Sequence, residues 1–360
     1  MNKKAKKIII GSLIGAVVLY FGLGIIGTLV ATEGFINVRN CDPDLLEQDF
    51  YRVQKCRADY ESLKNREVVT FPCGKETLAG YLYENPFPKG VIVFSHGVMN
   101  LADANMSQVH NYYFTHGYTV FAFDMTGCGR STGKGIRTLY ESTNCVVNAV
   151  NKVKELDKTK DLPIFLIGHS WGAYGVATAS NKVDGVKAVA SFSAYNTPSE
   201  LMYGSVEVNT SKAMILTKPA FELGLFLHWG AKVHQSAESA IKNNPDIPYI
   251  VIHGTEDKTV PYKTYSLYDN IVNDHYENVT AIKLEGIHHG TPWKTLEAET
   301  LTGEYEKGLS DLRKEYKGKL PDEIKEQYIA SIDLDKSSAV KTELLEKIDT
   351  VFDSFAIKQV

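Results

Sequence analysis

A serine between two glycines follows an apolar run in the middle of the chain. The segment reads Gly168-His169-Ser170-Trp171-Gly172, and the residues after it favour a helix. A serine at a sharp strand-to-helix turn has a strained backbone and an exposed hydroxyl, and larger side chains in place of the glycines would clash with neighbouring backbone. The pattern therefore predicts that Ser170 is a nucleophile.

A serine nucleophile needs a base to remove its proton and a carboxylate to orient that base. Asp257 follows a β-rich run 87 positions after Ser170, and His289 follows another such run 32 positions later. The carboxyl ends of parallel strands share one edge of a sheet, so these side chains can converge. Glu256 is the other candidate acid, but it is one residue closer to its strand and would point elsewhere. His288 is the alternative base, and we favour His289.

The oxyanion formed when a serine attacks a carbonyl needs two hydrogen-bond donors. The backbone N–H of the residue after the nucleophile, Trp171, is one candidate. The other is the Val98 N–H, in the loop after the third predicted strand, where Gly97 allows a tight turn. We expect His169 and His253, which flank strands, to have structural roles.

Short β-rich runs alternate with helical stretches from residue 67 onward. Several runs are almost wholly apolar, as expected for parallel strands covered on both faces. The alternation predicts an α/β fold with a doubly wound, mostly parallel eight-stranded sheet. The predicted strands are 67–71, 78–83, 90–95, 119–124, 164–167, 188–192, 249–253 and 280–284.

Two longer helical blocks interrupt this alternation. We interpret residues 197–244, which are unevenly apolar, as a helical lid insertion, although two ordinary packing helices would also fit the pattern. Residues 297–340 are charged and helical in pattern, and a closing helix with an apolar stripe follows them.

The N-terminal segment has the composition of a membrane anchor. Residues 8–31 contain no charged residue and would form a helix about 36 Å long, which exceeds the hydrocarbon core of about 30 Å. The apolar stretch is also longer than that of a cleaved signal peptide. Lysines in residues 1–7 predict a cytoplasmic basic tail and an extracytoplasmic catalytic domain at the cell membrane. Residues 32–66 follow as a predicted amphipathic stalk helix, and residues 67–360 form the main domain.

Charge and motif spacing argue against several classes of function. After residue 31 the chain carries 35 basic and 43 acidic residues, so we expect no nucleic-acid partner. The glycine-rich segment 127–135 lacks the spacing of a phosphate-binding loop or a dinucleotide fingerprint. Five cysteines without C-x-x-C spacing indicate neither a metal site nor a redox dithiol. Cys41 and Cys56 could bridge, but buried or idle thiols fit better.

The sequence resembles the α/β-hydrolases, closest to the branch of monoglyceride lipases, lysophospholipases and serine aminopeptidases. The resemblance covers residues 67–290 and implies the α/β-hydrolase fold, with Ser170, Asp257 and His289 as catalytic residues. Trp171 and His288 depart from the usual residues of that branch. The matching elements are Ser95-His96-Gly97, the D-x-x-G-x-G-x-S element from Asp124 to Ser131, Gly168 to Gly172, His253 to Asp257, and Gly286 to His289.

These observations predict a membrane-anchored serine hydrolase that cleaves a carboxylic ester or related acyl substrate, small or lipid-like, without a cofactor or metal. A serine aminopeptidase or amidase would need a carboxylate cluster for the substrate amine, and Glu200, Glu207, Glu222 and Glu238 are scattered candidates. Acyl transfer is open to the same acyl-enzyme. A non-catalytic interaction module is the alternative from another class, and the complete set of triad residues argues against it.

Overall fold

The computed structural model describes residues 3–36, 52–102, 104, 106–209, 216–274 and 276–358. These residues form an eight-stranded sheet with the order β1-β2-β4-β3-β5-β6-β7-β8. Strands β1 and β2 pair antiparallel, β2 pairs antiparallel with β4, and the remaining pairs are parallel. The strands are β1 (Glu67–Cys73), β2 (Glu76–Tyr83), β3 (Gly90–Ser95), β4 (Tyr118–Phe123), β5 (Ile164–His169), β6 (Val186–Phe192), β7 (Tyr249–Gly254) and β8 (Val279–Leu284).

The α-helices of the described residues include one N-terminal helix, the crossover helices and two groups of inserted helices. They are α1 (Lys3–Ile36), α2 (Ser107–Thr115), α3 (Glu141–Glu155), α4 (Trp171–Ala179), α5 (Pro198–Asn209), α6 (Lys218–Trp229), α7 (Ala237–Lys242), α8 (Leu267–Val272), α9 (Leu296–Glu315), α10 (Asp322–Ala330), α11 (Leu334–Ser337) and α12 (Thr342–Asp353).

Apolar side chains on both faces of the sheet explain why helices cover it on both sides. Every residue of β3, β4, β5 and β7 is buried, as expected for interior parallel strands. Helices α3 and α4 pack on one face, and α2 and α12 pack on the other. The strand order and the two helical layers are those of the α/β-hydrolase fold, which confirms the predicted fold class.

The predicted insertions contain helices that lie outside the alternating core. Residues 197–244 include α5, α6, a 3-10 turn at Gly230–His234, and α7. Residues 297–340 include most of α9 together with α10 and α11, and Pro321 precedes the first turn of α10. A β-bridge between Lys294 and Val340 brings the two ends of this second insertion together.

The N-terminal helix α1 is long and apolar enough to cross a membrane, judged by length and composition. The predicted stalk helix is wrong for its described part, and residues 37–51 lie outside the described residues. Two 3-10 turns, Arg57–Asp59 and Glu61–Leu63, occur where a continuous helix was expected. The reason is tertiary packing, because Val53 is buried and its carbonyl accepts a hydrogen bond from the Ser337 hydroxyl (2.8 Å). The segment thus packs against the main domain instead of standing away from it.

Candidate active site

Ser170 lies at the turn between β5 and α4 with an unusual backbone conformation. Its φ is 54° and its ψ is −114°, a combination that L-residues rarely adopt. Its N–H donates to the Phe192 carbonyl at the end of β6 (2.8 Å), and its own carbonyl accepts from the Tyr174 N–H. These bonds to a strand and a helix hold the strained residue in place. The side chain is 8% exposed, so the hydroxyl is at the edge of the packed interior.

The glycines on either side of this turn are required by close backbone contacts. A Cβ at Gly168 would lie 2.4 Å from the Gly172 carbonyl oxygen. A Cβ at Gly172 would lie 2.0 Å from the Ser95 carbonyl oxygen. Helix α4 therefore approaches β3 as closely as its backbone permits. A side chain at either glycine would clash with backbone, as the sequence pattern predicts.

Ser170, His289 and Asp257 form a continuous hydrogen-bonded chain. The Ser170 hydroxyl is 2.8 Å from His289 Nε2, and His289 Nδ1 is 2.6 Å from Asp257 Oδ2. With Asp257 ionised, Nδ1 is the donor, so Nε2 has a free lone pair toward the serine. The three residues predicted from their separate positions in the sequence are thus brought together at the carboxyl edge of the sheet. Such an arrangement can transfer a proton from the serine to the imidazole.

Asp257 is buried and accepts hydrogen bonds on both oxygens. Oδ1 accepts from the N–H groups of Thr259 (3.0 Å) and Val260 (2.8 Å). Oδ2 faces His289 and also lies 3.2 Å from His253 Nε2. Burial by itself would raise the pKa of the Asp257 carboxyl, but the charge of His289 and the hydrogen bonds from both histidines hold it well below its ordinary value. The carboxylate therefore stays ionised at neutral pH.

The structure distinguishes between the neighbouring candidates on each loop. Glu256 and His288 are both exposed, and His288 Nδ1 is 3.1 Å from the Glu256 carbonyl. The His288 N–H lies 3.3 Å from Glu299 Oε1, so this residue is held to the outer surface. His289 and Asp257 face inward instead.

Two histidines at strand ends contact the site, although the sequence indicated only structural roles for them. His169 Nε2 donates to the His289 carbonyl (2.8 Å), so it supports the backbone of the candidate base. Burial, with a smaller effect of the nearby His289, lowers the pKa of His169 to about 3, so its imidazole is neutral. His253 contacts Asp257 as described above. The sequence placed both histidines at the carboxyl ends of β5 and β7, near the predicted site. That position alone does not show which triad residue each histidine contacts.

The loop after β3, which contains Val98, lies beside the nucleophile. A Cβ at Gly97 would be 3.4 Å from Ser170 Cβ. Within this loop His96 Nδ1 donates to the Gly97 carbonyl (2.7 Å), and its Nε2 accepts from the Met125 N–H (3.0 Å). A carbonyl and the next N–H point in opposite directions across a trans peptide, so the bond from His96 also sets the direction of the Val98 N–H.

Trp171, the other candidate oxyanion donor, begins α4. Its side chain is buried and its indole N–H donates to the Leu139 carbonyl (2.8 Å), which fixes the first turn of the helix behind Ser170. The backbone N–H groups of Trp171 and Val98 thus belong to segments on two sides of the serine.

The glycine-rich segment 127–135 surrounds a buried carboxylate. Asp124 Oδ1 accepts from the Ala102 N–H, and Oδ2 accepts from the Tyr81 hydroxyl and the Arg130 N–H. A Cβ at Gly129 would lie 2.3 Å from Asp124 Oδ2. Segment 127–135 is therefore held to neighbouring loops by hydrogen bonds to Asp124. A carboxylate at the centre of the segment would repel a phosphate group.

A separate cluster could hold a metal ion, although the sequence indicated none. Ligand atoms of Cys73, Glu141 and Cys145 lie within 4.8 Å of one another, and all three residues are buried. The two sulfurs are 3.8 Å apart and Glu141 also pairs with Arg137. The four cysteines of the described residues are free thiols, and Cys41 of the suggested Cys41–Cys56 bridge lies outside those residues.

A cavity of about 560 Å³ lies between the α3 side of the domain and the end of α6. Its lining includes Arg137, Tyr140, His228 and Lys232, but none of the three triad candidates. The cavity is therefore separate from the hydrogen-bonded chain at Ser170.

Comparisons with known proteins agree with this architecture. The family model described as serine aminopeptidase, S33, matches residues 86–223, from the segment before β3 to the middle of α6. No curated protein matches. Together with the strand order, the family match supports assignment of the chain to the α/β-hydrolase superfamily.

Several solved structures are similar to this chain. The esterase Pf2001 of Pyrococcus furiosus is 18% identical over 70% of this chain and 91% of its own, with a TM-score of 0.49. Est1E of Butyrivibrio proteoclasticus, solved with ferulic acid, is 19% identical over 68% of this chain and 98% of its own, with a TM-score of 0.48. The α/β hydrolase GrgF of a Penicillium species is 16% identical over 69% of this chain and 98% of its own, with a TM-score of 0.49.

Proposed function

We propose that the protein is a membrane-anchored serine hydrolase that cleaves a carboxylic ester or related acyl substrate. The observation that carries this proposal is the hydrogen-bonded chain from the Ser170 hydroxyl through His289 to Asp257, with distances of 2.8 and 2.6 Å. Both bonds have the length expected of a proton-transfer path.

In the proposed reaction, His289 Nε2 accepts the Ser170 proton as the hydroxyl oxygen attacks the substrate carbonyl. Asp257 stabilises the imidazolium that forms. The Val98 and Trp171 N–H groups hold the developing oxyanion, and His96 acts as a positioning residue for the first of them. His289 then protonates the leaving group, and a water molecule activated by the same histidine hydrolyses the acyl-enzyme. Apart from that water molecule, these steps use side chains and backbone groups of this chain.

A fluorophosphonate probe tests the nucleophile directly. Wild type should be labelled, and Ser170→Ala and His289→Ala should not. Ser193→Ala is a matched control, because Ser193 also has a positive φ (56°) and a buried hydroxyl at the end of a neighbouring strand. That hydroxyl has no hydrogen-bond partner among the described residues. Labelling that persists in Ser170→Ala, or is absent from wild type, would exclude the proposed function.

The anchoring part of the proposal is supported by α1 and by the charges before it. Residues 3–7 of α1 include four lysines, and the segment that follows is apolar to Thr32. The positive-inside rule then puts the N-terminus in the cytoplasm and the catalytic domain outside. Protease added to intact cells should degrade the catalytic domain, and its protection would reverse this orientation.

An aminopeptidase is the second candidate, because two carboxylates of the lid each have a buried oxygen. Glu200 Oε2 and Glu222 Oε2 are both buried without a hydrogen bond in the described residues. Burial raises the pKa of Glu200, hydrogen bonds with Thr197 and the charge of Lys218 oppose that effect, and the charge of Glu222 adds a smaller increase. Such a pair could bind a substrate ammonium group. The Glu238 carboxylate accepts a hydrogen bond from the Tyr276 hydroxyl. The Glu207 side chain lies outside the described part of the chain.

Substrate profiling separates the two candidates. An esterase should prefer p-nitrophenyl esters over aminoacyl anilides, and Glu200→Gln should leave the ester rate unchanged. For an aminopeptidase, the anilides should be the better substrates, and the same substitution should raise KM for anilides with a free amine but not for N-acetylated ones.

A further inference from the structure

Helices α1 and α6, which lie nearly 200 positions apart in the chain, pack side by side in the same direction. A Cβ at Gly24 would be 2.3 Å from Ala220 Cβ, and a Cβ at Gly224 would be 2.9 Å from Thr28 Cβ. The second contact lies four residues after the first on both helices, so small residues face one another along a shared stripe. Such stripes let helix backbones approach closely inside membranes.

Polar groups join the two helices at both ends of this contact. The Tyr20 hydroxyl donates to the Leu216 carbonyl at the beginning of the stripe. At the other end, His228 Nε2 is 3.3 Å from Glu33 Oε1. The first acidic residue after the apolar segment of α1 is therefore level with the polar end of α6.

The exposed surface of α6 is apolar. Leu223, Phe226 and Leu227 are 38%, 46% and 63% exposed. Pro219 and the terminal His228 are the other exposed positions of this helix, so its exposed surface carries no lysine, arginine or acidic side chain. A helix that faces water normally has the opposite arrangement.

The charged side chains of α6 face other parts of the lid. Lys218 Nζ lies 5.1 Å from the centre of the Tyr203 ring, and Glu222 Oε2 lies 3.6 Å from His234 Nδ1. The helix thus keeps its charges toward protein and its apolar side chains outward, as helices in a lipid environment do.

The position of α6 along α1 fits the outer boundary of a bilayer. About 20 helical residues span the hydrocarbon core of about 30 Å, so a span that begins at Ile8 ends near Gly27. The contacts at Gly24 and Thr28 then lie at that boundary, and Glu33 lies among the lipid headgroups.

We propose that α6 lies in the outer leaflet of the membrane that α1 spans, where the outer ends of the acyl chains and the headgroup region cover Leu223, Phe226 and Leu227. Pairing with α1 through the small-residue stripe holds α6 at this depth, so the lid of the domain is fixed to the bilayer surface. The proposal rests on the proposed anchoring and orientation of α1, and it does not depend on the chemistry at Ser170.

Depth-dependent fluorescence quenching tests the location of α6. A fluorescent amino acid replaces Leu227 in the full chain, which is reconstituted into phosphatidylcholine nanodiscs with or without spin-labelled acyl chains. The probe should be quenched as strongly as one at Val30, an exposed residue of α1 near the same level, whereas a probe at Glu323 on the charged helix α10 should not be. Equal, weak quenching at 227 and 323 would overturn the proposal, including the case in which a second copy of the chain covers α6.

A pair of glycine substitutions tests the pairing of the helices. Gly24→Leu should push α6 away from α1 and lower the quenching at position 227 by about two-fold or more. Gly27→Leu is the matched control, because a Cβ at Gly27 meets no atom within 4 Å, and it should leave the quenching unchanged. Equal quenching in both variants would refute the pairing. Fluorophosphonate labelling is measured in parallel, so failure of the proposed enzyme function and failure of lipid contact give different results.

Discussion

Asp257→Asn should remove most of the activity by forcing the wrong tautomer of His289. The carboxylate accepts two hydrogen bonds from backbone N–H groups on Oδ1 and one from His289 on Oδ2. His253 Nε2 lies 3.2 Å from Oδ2 and also donates to the Val260 carbonyl (3.0 Å). An asparagine has one oxygen, which the N–H groups of Thr259 and Val260 would occupy. Its NH₂ group would then face the histidines, so His289 would have to accept at Nδ1 and carry its proton on Nε2.

A histidine with its proton on Nε2 cannot accept the proton of Ser170. Loss of the correct tautomer in a serine triad lowers kcat by about 10⁴-fold, which corresponds to about 5 kcal/mol of transition-state free energy. The alternative amide orientation would keep the correct tautomer, but it is disfavoured because it would direct the NH₂ group at two buried backbone donors. The expected loss is therefore close to the full effect, because the orientation that forces the wrong tautomer is the favoured one.

Steady-state hydrolysis of p-nitrophenyl acetate at pH 7.5 measures this effect, with circular dichroism to verify the fold. Glu256→Gln is the matched control, since Glu256 is the adjacent acid and is exposed. It should retain wild-type kcat. The tautomer argument fails if folded Asp257→Asn keeps kcat within about tenfold of wild type, or if Glu256→Gln loses as much.

Three further predictions concern the packing around the site. Gly172→Ala places a Cβ 2.0 Å from the Ser95 carbonyl oxygen and should lower the free energy of urea unfolding by about 1–3 kcal/mol; Gly303→Ala, where a Cβ meets nothing within 4 Å, should not lower it. His96→Ala frees the Gly97 carbonyl and should lower kcat about tenfold or more with little change in KM, whereas the buried control His110→Leu should not. Burial lowers the pKa of Lys294 to about 8, so this group binds fewer protons in the folded than in the unfolded state between pH 8 and 10.5, and stability should rise with pH there. Relative to Lys294→Met, wild type should gain about 3 kcal/mol across that range in pH-dependent unfolding, and parallel curves would contradict the assigned pKa.

The orientation of the two histidines after β8 depends on contacts that the sequence alone does not show. His288 and His289 follow the same strand and differ by one position, and the family resemblance, more than their distance from Ser170, favoured His289. Gly286 has a φ of 71°, and the Ile287 carbonyl accepts from the Glu256 N–H (3.0 Å) and lies against Gly254. These contacts between two loops turn His289 inward and His288 outward. They depend on residues about 30 positions away, which no local pattern contains.

The expected stalk helix failed for a similar reason. Its apolar spacing was helical, but Val53 and Leu63 are buried against the main domain, and the backbone around them bonds to distant groups such as the Gln108 amide. Tertiary contacts outweighed a weak local preference.

The sequence by itself determined the order of strands and helices, the turn at Ser170, and the loops that contain Asp257 and His289. Those features follow from apolar periodicity and from the glycines that a tight turn demands, which are local properties of the chain. Only the tertiary structure decided how two loops turn His289 toward the serine, how His96, His169 and His253 contact the site, and that α6 packs along α1. These are contacts between segments far apart in the chain, and their geometry depends on the closed packing of the whole domain.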